Sequence, residues 1–247
     1  MTNETTLINQ WRQAVAQDLR QLAILHSREL TLEDLNALEI NHFPDSLGFY
    51  LPSENGQSCL DFMKKSLANT KPQQLDELAM DFAGIYLNHH YRISPCESVW
   101  FDDEGLMLQE AMFAVRECYQ QYGLEAENWR IFPDDHFILQ IQFVAHLLAL
   151  DENKETLANI TRFLDEHLLR WISKFAAKVS ERCTTDFYAG LNILTAQYLE
   201  EVRDMLAAIL ETPRPTQEEI EKRLAREKAK PEVVVPLQYL PGVSPSW

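Results

Sequence analysis

Apolar positions recur three and four residues apart along most of the chain, the period of one face of an α-helix. Leu7, Trp11, Val15, Leu19 and Leu22 set this pattern near the N-terminus. Thr31, with Asp34 three residues on, reads as a capping box that opens a second helix. Residues 43–56 hold Pro44, Gly48, Pro52 and Gly56 and read as loop and turns, followed by a short helix over 59–67. Pro72 suits a first helical turn, where its missing N–H costs nothing. Leu75, Leu78, Phe82, Ile85 and Tyr86 carry an apolar side from there to about residue 88. Residues 89–101 read as an irregular connector. Asp102, Asp103 and Glu104 place negative charge where a helix start favours it, predicting a helix from there to Tyr122, closed by Gly123. A second connector, 129–133, leads into Pro133-Asp-Asp-His136, which opens a strongly apolar helix ending at Leu150. Further helices are predicted over 155–167, 168–182 and 186–211.

No stretch alternates at period two before the last residues, and no internal repeat is present. The pattern therefore predicts an all-α fold, a single helical-bundle domain over residues 1–212. The texture changes beyond it. Pro213 and Pro215 break the helix, Thr216 and Glu219 can cap a short charged helix to about residue 230, and Pro231 ends that helix. An apolar, proline-punctuated tail follows. Residues 213–247 carry six basic and five acidic side chains, so the negative charge belongs to the body.

That charge narrows the function classes. The 247 residues hold 22 Lys and Arg against 38 Asp and Glu, a formal net charge of −16. Gripping nucleic acid needs clustered Lys and Arg, so the balance argues against it and suits a basic partner. With 46% apolar residues the composition is that of a globular chain and not a disordered one. No uninterrupted apolar run reaches the ~18 residues of a membrane span, and the first residues lack the basic start and apolar core of a signal peptide. The expected location is the cytoplasm, without membrane insertion. Cys59, Cys96, Cys118 and Cys183 are far apart and form no C-x-x-C pair, a spacing that disfavours zinc and a disulfide framework. They read as free thiols.

Candidate chemistry is sparse. Phosphate-cradling glycine loops, a G-x-S-x-G elbow and H-E-x-x-H are all absent. His89 and His90 are adjacent, point in different directions on a helix and read as a solvated helix end. No metal site is expected. Asp135 beside His136 could form an acid–base pair in a small helical enzyme, but no nucleophile or oxyanion site accompanies it. The competing reading makes Asp134 or Asp135 a helix cap. The stripe Phe82, Ile85, Tyr86 ordinarily reads as core. Its place just before one irregular connector, with a second ending at Pro133, also allows the two connectors to line an apolar groove.

Three pieces, in this order and spacing, resemble the TorD/DmsD/NarJ group of redox-enzyme maturation chaperones, and within it the TorD/DmsD side. Phe82-Ala-Gly-Ile85-Tyr86 is similar to that family's aromatic-x-x-Leu-Phe. Ser94-Pro-Cys-Glu-Ser-Val-Trp100, followed by Phe101-Asp102, resembles its Pro-x-x-Ser-Val-Tyr/Trp connector. Pro133-Asp-Asp-His136 resembles its Glu-Pro-x-Asp-His signature. The resemblance covers roughly residues 7 to 210. Phe132 stands where the family often has Glu, Ile85 and Tyr86 replace the usual Leu and Phe, and the tail beyond residue 211 does not match.

The resemblance implies a cytosolic, non-catalytic chaperone. Its partners would be the apoenzyme of a molybdenum-containing oxidoreductase and that client's twin-arginine signal peptide, held until the cofactor is inserted. No cofactor of its own is implied, although some members contact a guanine nucleotide. A monomer or a homodimer is implied, including a dimer formed by exchange of helices. Residues and resemblance together suggest a groove lined by Phe82, Ile85, Tyr86, Pro95, Ser98, Val99, Trp100 and Pro133. Carboxylates at its rim (Asp135, Glu97, Asp102 and Asp103) would meet the arginines, and His136 would orient a loop or a carboxylate. The tail from Val233 to Leu240 is a further candidate occupant of that groove, or a brace for a dimer. The rival reading is a helical adaptor without signal-peptide preference.

Overall fold

The computed structural model of the chain describes residues 3–88, 90–130, 132–150 and 153–228. They fall into two units, one up to Arg214 and one from Pro215. Helix α1 (Asn3–Ser27) is followed by α2 (Leu32–Ile40), where Thr31 and Asp34 make the reciprocal capping box that their spacing predicts. Helix α3 (Glu54–Asn69) starts earlier than the apolar pattern suggests. The Ser53 hydroxyl accepts the Gly56 N–H, so Gly56 stands inside the first turn and not in the loop. A tight turn at Pro72–Gln74 leads into α4 (Leu75–Phe82), which widens into a π turn over Ala83–Leu87.

The helix expected to start at Asp102 is corrected. After the single turn α5 (Ser98–Phe101), the chain stays irregular until α6 (Glu110–Gln120). The Asp102 carboxylate accepts the N–H groups of Glu104 and Leu106 at 3.0 and 2.8 Å, which folds a loop instead of starting a helix. Gly105 and Leu108 both have positive φ, which α-helix cannot accommodate. Gly123 does close α6 as a C′ glycine: its own N–H reaches Gln120 O and the Leu124 N–H reaches Tyr119 O.

Helix α7 (Phe137–Leu150) follows the second connector, then α8 (Lys154–Glu166), a turn at Leu168–Arg170, α9 (Ile172–Arg182) and α10 (Asp186–Leu210). Helix α1 packs along α7, and α10 packs against α3, α8 and α9. Helix α7 is apolar nearly all round and lies inside, with Ile141, Val144, Leu147 and Leu148 all buried. Long-range polar pairs tie the helices together. The Arg203 guanidinium on α10 donates two bonds to Asp165 on α8, at 2.7 and 2.8 Å, in the buried interior. Among the described residues no strand forms, and no helix is long and apolar enough to cross a membrane.

In the second unit, α11 (Gln217–Lys228) is opened by Thr216, whose hydroxyl accepts the Glu219 N–H while Glu219 accepts back from the Thr216 N–H. The tail from Val233 to Leu240 lies outside the described residues, as does His89 of the His89-His90 pair.

Candidate functional site

The two connectors pair with each other. The Glu97 N–H donates to Asp135 O at 3.1 Å, and the Phe137 N–H donates to Pro95 O at 2.9 Å, an isolated antiparallel bridge between Cys96 and His136. Side chains lock the bridge. The Asp135 carboxylate accepts the Ser98 N–H at 2.7 Å and the Ser98 hydroxyl at 2.5 Å. Gln140, on the first turn of α7, donates from Nε2 to both Glu97 Oε2 and Asp135 O. Tyr119 of α6 donates to Asp134 O, and Arg116 of α6 donates through Nε and Nη2 to Asp134 Oδ2. Ser98 Oγ also accepts the Gln109 N–H and so holds the far end of the 102–109 loop.

This geometry corrects where several residues stand. Glu97 and Asp135 were expected at an exposed rim, yet they are 1% and 0% exposed. Their carboxylates are turned inward by the bonds just described. Asp134 and Asp135 are not helix caps either, because α7 starts only at Phe137. The capping contact comes from His136, whose Nδ1 accepts the Ile138 N–H at 3.3 Å. Burial raises the Asp135 carboxyl above its usual range; the two bonds from Ser98 oppose that, and the neighbouring Glu97 adds to it.

Phe82, Ile85 and Tyr86 are buried and pack within the hydrophobic core. Tyr86 stacks on Phe137 with ring centres 6.0 Å apart, and its hydroxyl meets His26 Nδ1 at 2.7 Å. His26 in turn meets Thr195 of α10. Burial, helped by the nearby His136, lowers His26 to about 3, so this link is a neutral imidazole. The aromatic-x-x motif thus packs against the start of α7. Pro95 and Pro133 are buried as well, while Val99 and Trp100 are half-buried. Trp100 stacks on Trp171, donates from Nε1 to Ser94 O and lies under Lys178 Nζ.

Two contributors were not anticipated. Asp81 is buried and accepts from Tyr91 Oη, from the Thr184 and Thr185 N–H groups and from Thr185 Oγ1. It fastens α4 to the start of α10, and an acid on the apolar side of α4 was the signal available in the sequence. His167 donates from Nδ1 to Glu97 Oε1 at 3.0 Å and has no such signal, being seventy residues away.

What the site exposes is the chain between the connectors. Six of the fifteen exposed large hydrophobic residues among those described fall within residues 101–129: Phe101, Leu106, Met107, Leu108, Phe113 and Trp129. The same 29 residues hold seven acids and one base, Arg116. That base lies over the rings of Phe113 and Trp129 and is paired with Asp134. Asp103 is exposed and Asp102 half-buried, so of the expected rim acids these two stand at the surface. Among the described residues no group of three or more His, Cys, Asp or Glu side chains could hold a metal ion.

Residues 50–177 match the family model described as "Nitrate reductase delta subunit". The chain is 27% identical over 218 residues to a protein from Shewanella pealeana named "Chaperone protein TorD", covering 85% of this chain and 96% of that one. A TorD from Aliivibrio salmonicida is 26% identical over 80% of this chain and 95% of its own length. A Haemophilus influenzae protein named "Probable Tat proofreading chaperone DmsD" is 32% identical over 107 residues, 43% of this chain and 50% of that protein. The matched region carries all three signature pieces, and the chain belongs to the nitrate reductase delta subunit family, on its TorD/DmsD side.

Proposed function

We propose that this chain is a maturation chaperone for a molybdenum-containing oxidoreductase and that it binds the client's twin-arginine signal peptide. The observation that carries the reading is one segment, 101–129, that is both apolar and acidic at its surface and is pinned at its base by the two signature connectors. A twin-arginine signal peptide has the complementary make-up, a basic patch followed by an apolar stretch. Contiguous exposed apolar surface with a polar rim marks a recognition face. The apolar stretch rests on Phe101, Leu106, Met107, Leu108 and Phe113, and the arginines meet exposed acids such as Asp103 and Glu104. Leu108 is held at positive φ, a strained state that costs about 1–3 kcal/mol. The buried residues Glu97, Ser98, Asp135 and His136 serve this face by fixing the loop that carries it.

The test is a calorimetric titration with a panel of twin-arginine signal peptides, each paired with a version whose two arginines are glutamines. Tight binding to one peptide, with at least roughly tenfold loss in its control, supports the reading and names the client. Equal binding of both versions rejects it in favour of an adaptor without signal-peptide preference.

A further inference from the structure

Cys118 of α6 lies with Sγ 3.8 Å from Nε2 of His167, and His167 Nδ1 lies 3.0 Å from Glu97 Oε1. The row runs from the surface inward. Cys118 is half-buried, while His167 and Glu97 are buried. Gln140 holds the second Glu97 oxygen, so the carboxylate cannot turn away. In a carboxylate–imidazole–thiol row, the carboxylate orients the ring and keeps it protonated, and the imidazolium favours the thiolate, which is the nucleophilic form. Burial opposes charge on His167, but the charge and hydrogen bond of Glu97 together with the contact to Cys118 outweigh it, and His167 rises to about 10. The other three cysteines lie near carboxylates instead of an imidazole. Burial followed by Asp135 raises the Cys96 thiol, burial followed by Asp81 raises Cys183 to about 12, and burial followed by Glu201 raises Cys59.

We propose that Cys118 is a modifiable nucleophilic thiol that forms mixed disulfides with small disulfides, with His167 as its charge partner and Glu97 as the residue that positions His167. The Cys118 thiolate attacks one sulfur of the disulfide. A new S–S bond forms at Sγ and the old one breaks. Cys118 is oxidised to the mixed disulfide, and the departing half is reduced to a thiolate that takes its proton from solvent. Tyr119, next to Cys118 on α6, shares this neighbourhood with Asp134, Asp135 and Glu97. Arg116, one turn back on α6, is engaged by Asp134. The protonated ring of His167 places a positive charge next to the sulfur.

The experiment uses the full chain and 2,2′-dithiodipyridine, a neutral disulfide, with labelling at each cysteine followed by peptide mass spectrometry. At about pH 7 Cys118 is expected to react roughly tenfold faster than Cys59 or Cys183, which are also partly exposed. Its rate should also fall less than that of Cys59 between about pH 8.5 and pH 6.5. His167→Gln should bring Cys118 down to the Cys59 rate, and Glu97→Gln should lower it in the same direction. Circular dichroism reports whether each variant folds; if neither does, the pH profile of the parent decides by itself. A Cys118 rate no greater than that of Cys59, or the same pH dependence at both, overturns the proposal.

Discussion

Asp135 Oδ2 accepts both the backbone N–H and the hydroxyl of Ser98, two residues separated by thirty-seven positions and joined at 2.7 and 2.5 Å. Both are buried, so neither bond is exchanged for water when the chain is folded. Removing one partner leaves a buried polar group unsatisfied, and this is where the site is most fragile.

Ser98→Ala and Asp135→Ala should each destabilise the chain, by about 1.5–3 kcal/mol for bonds to a charged acceptor. The double variant should cost less than the sum of the two, because the lost interaction is shared. Urea unfolding of the four proteins measures the coupling. A coupling near zero means the pair contributes nothing to stability.

Leu106→Ser combined with Phe113→Ser should leave stability within about 0.5 kcal/mol, since both side chains are largely at the surface, Phe113 at 50%. Signal-peptide affinity should fall at least roughly tenfold, as expected on losing two apolar anchors. Calorimetry gives the second quantity and thermal unfolding the first. Unchanged affinity places the peptide elsewhere on the molecule.

The Glu97–His167 pair gives stability a pH signature. The His167 value is raised in the folded state, so its contribution is complete below the ordinary histidine range and is lost as pH climbs from about 6.5 toward 10. Breaking the pair with Glu97→Gln should cost about 3–5 kcal/mol near pH 6, the usual result of leaving a buried charge alone. The gap between parent and variant should then narrow with rising pH. Urea unfolding at several pH values traces it, and a gap that stays constant means His167 is not charged in the folded chain.

Gly84→Ala should destabilise by about 1–3 kcal/mol through overpacking. A Cβ there would stand 2.7 Å from the Tyr91 ring, whose hydroxyl is tied to Asp81 and which therefore cannot swing aside freely. Tyr91→Ala should make the Gly84→Ala change nearly neutral in the same background. Thermal unfolding of the single and double variants checks this.

The helices were legible because burial on one face repeats with the helix period, and Thr31, Thr216 and Gly123 act within a few residues of themselves. The start of α6 was misread because Asp102 can stabilise either a helix start or a loop, and the choice lies with Gly105 and Leu108 further on. The signature pieces could be seen as chain segments, but their burial could not. Whether Asp135 meets water or Ser98 depends on the pairing of two connectors, which no local spacing encodes. Cys118, His167 and Glu97 come from three separate elements, and only the packing of α6 against the turn after α8 places them in a row.

The antiparallel bridge has an architectural consequence. By joining residues 95–97 to 135–137, it turns everything between them into a closed excursion whose two feet are fixed on the helical body. For such a closed chain, doubling its length costs only about 0.6 kcal/mol in closure entropy. Exposed residues in the excursion can be exchanged while the feet keep their places, because Ser98, Arg116 and Tyr119 do the fastening and Met112 and Val115 the packing. Under the proposed function, the surface offered to a client can therefore be rewritten at the exposed positions of this one stretch without rebuilding the fold.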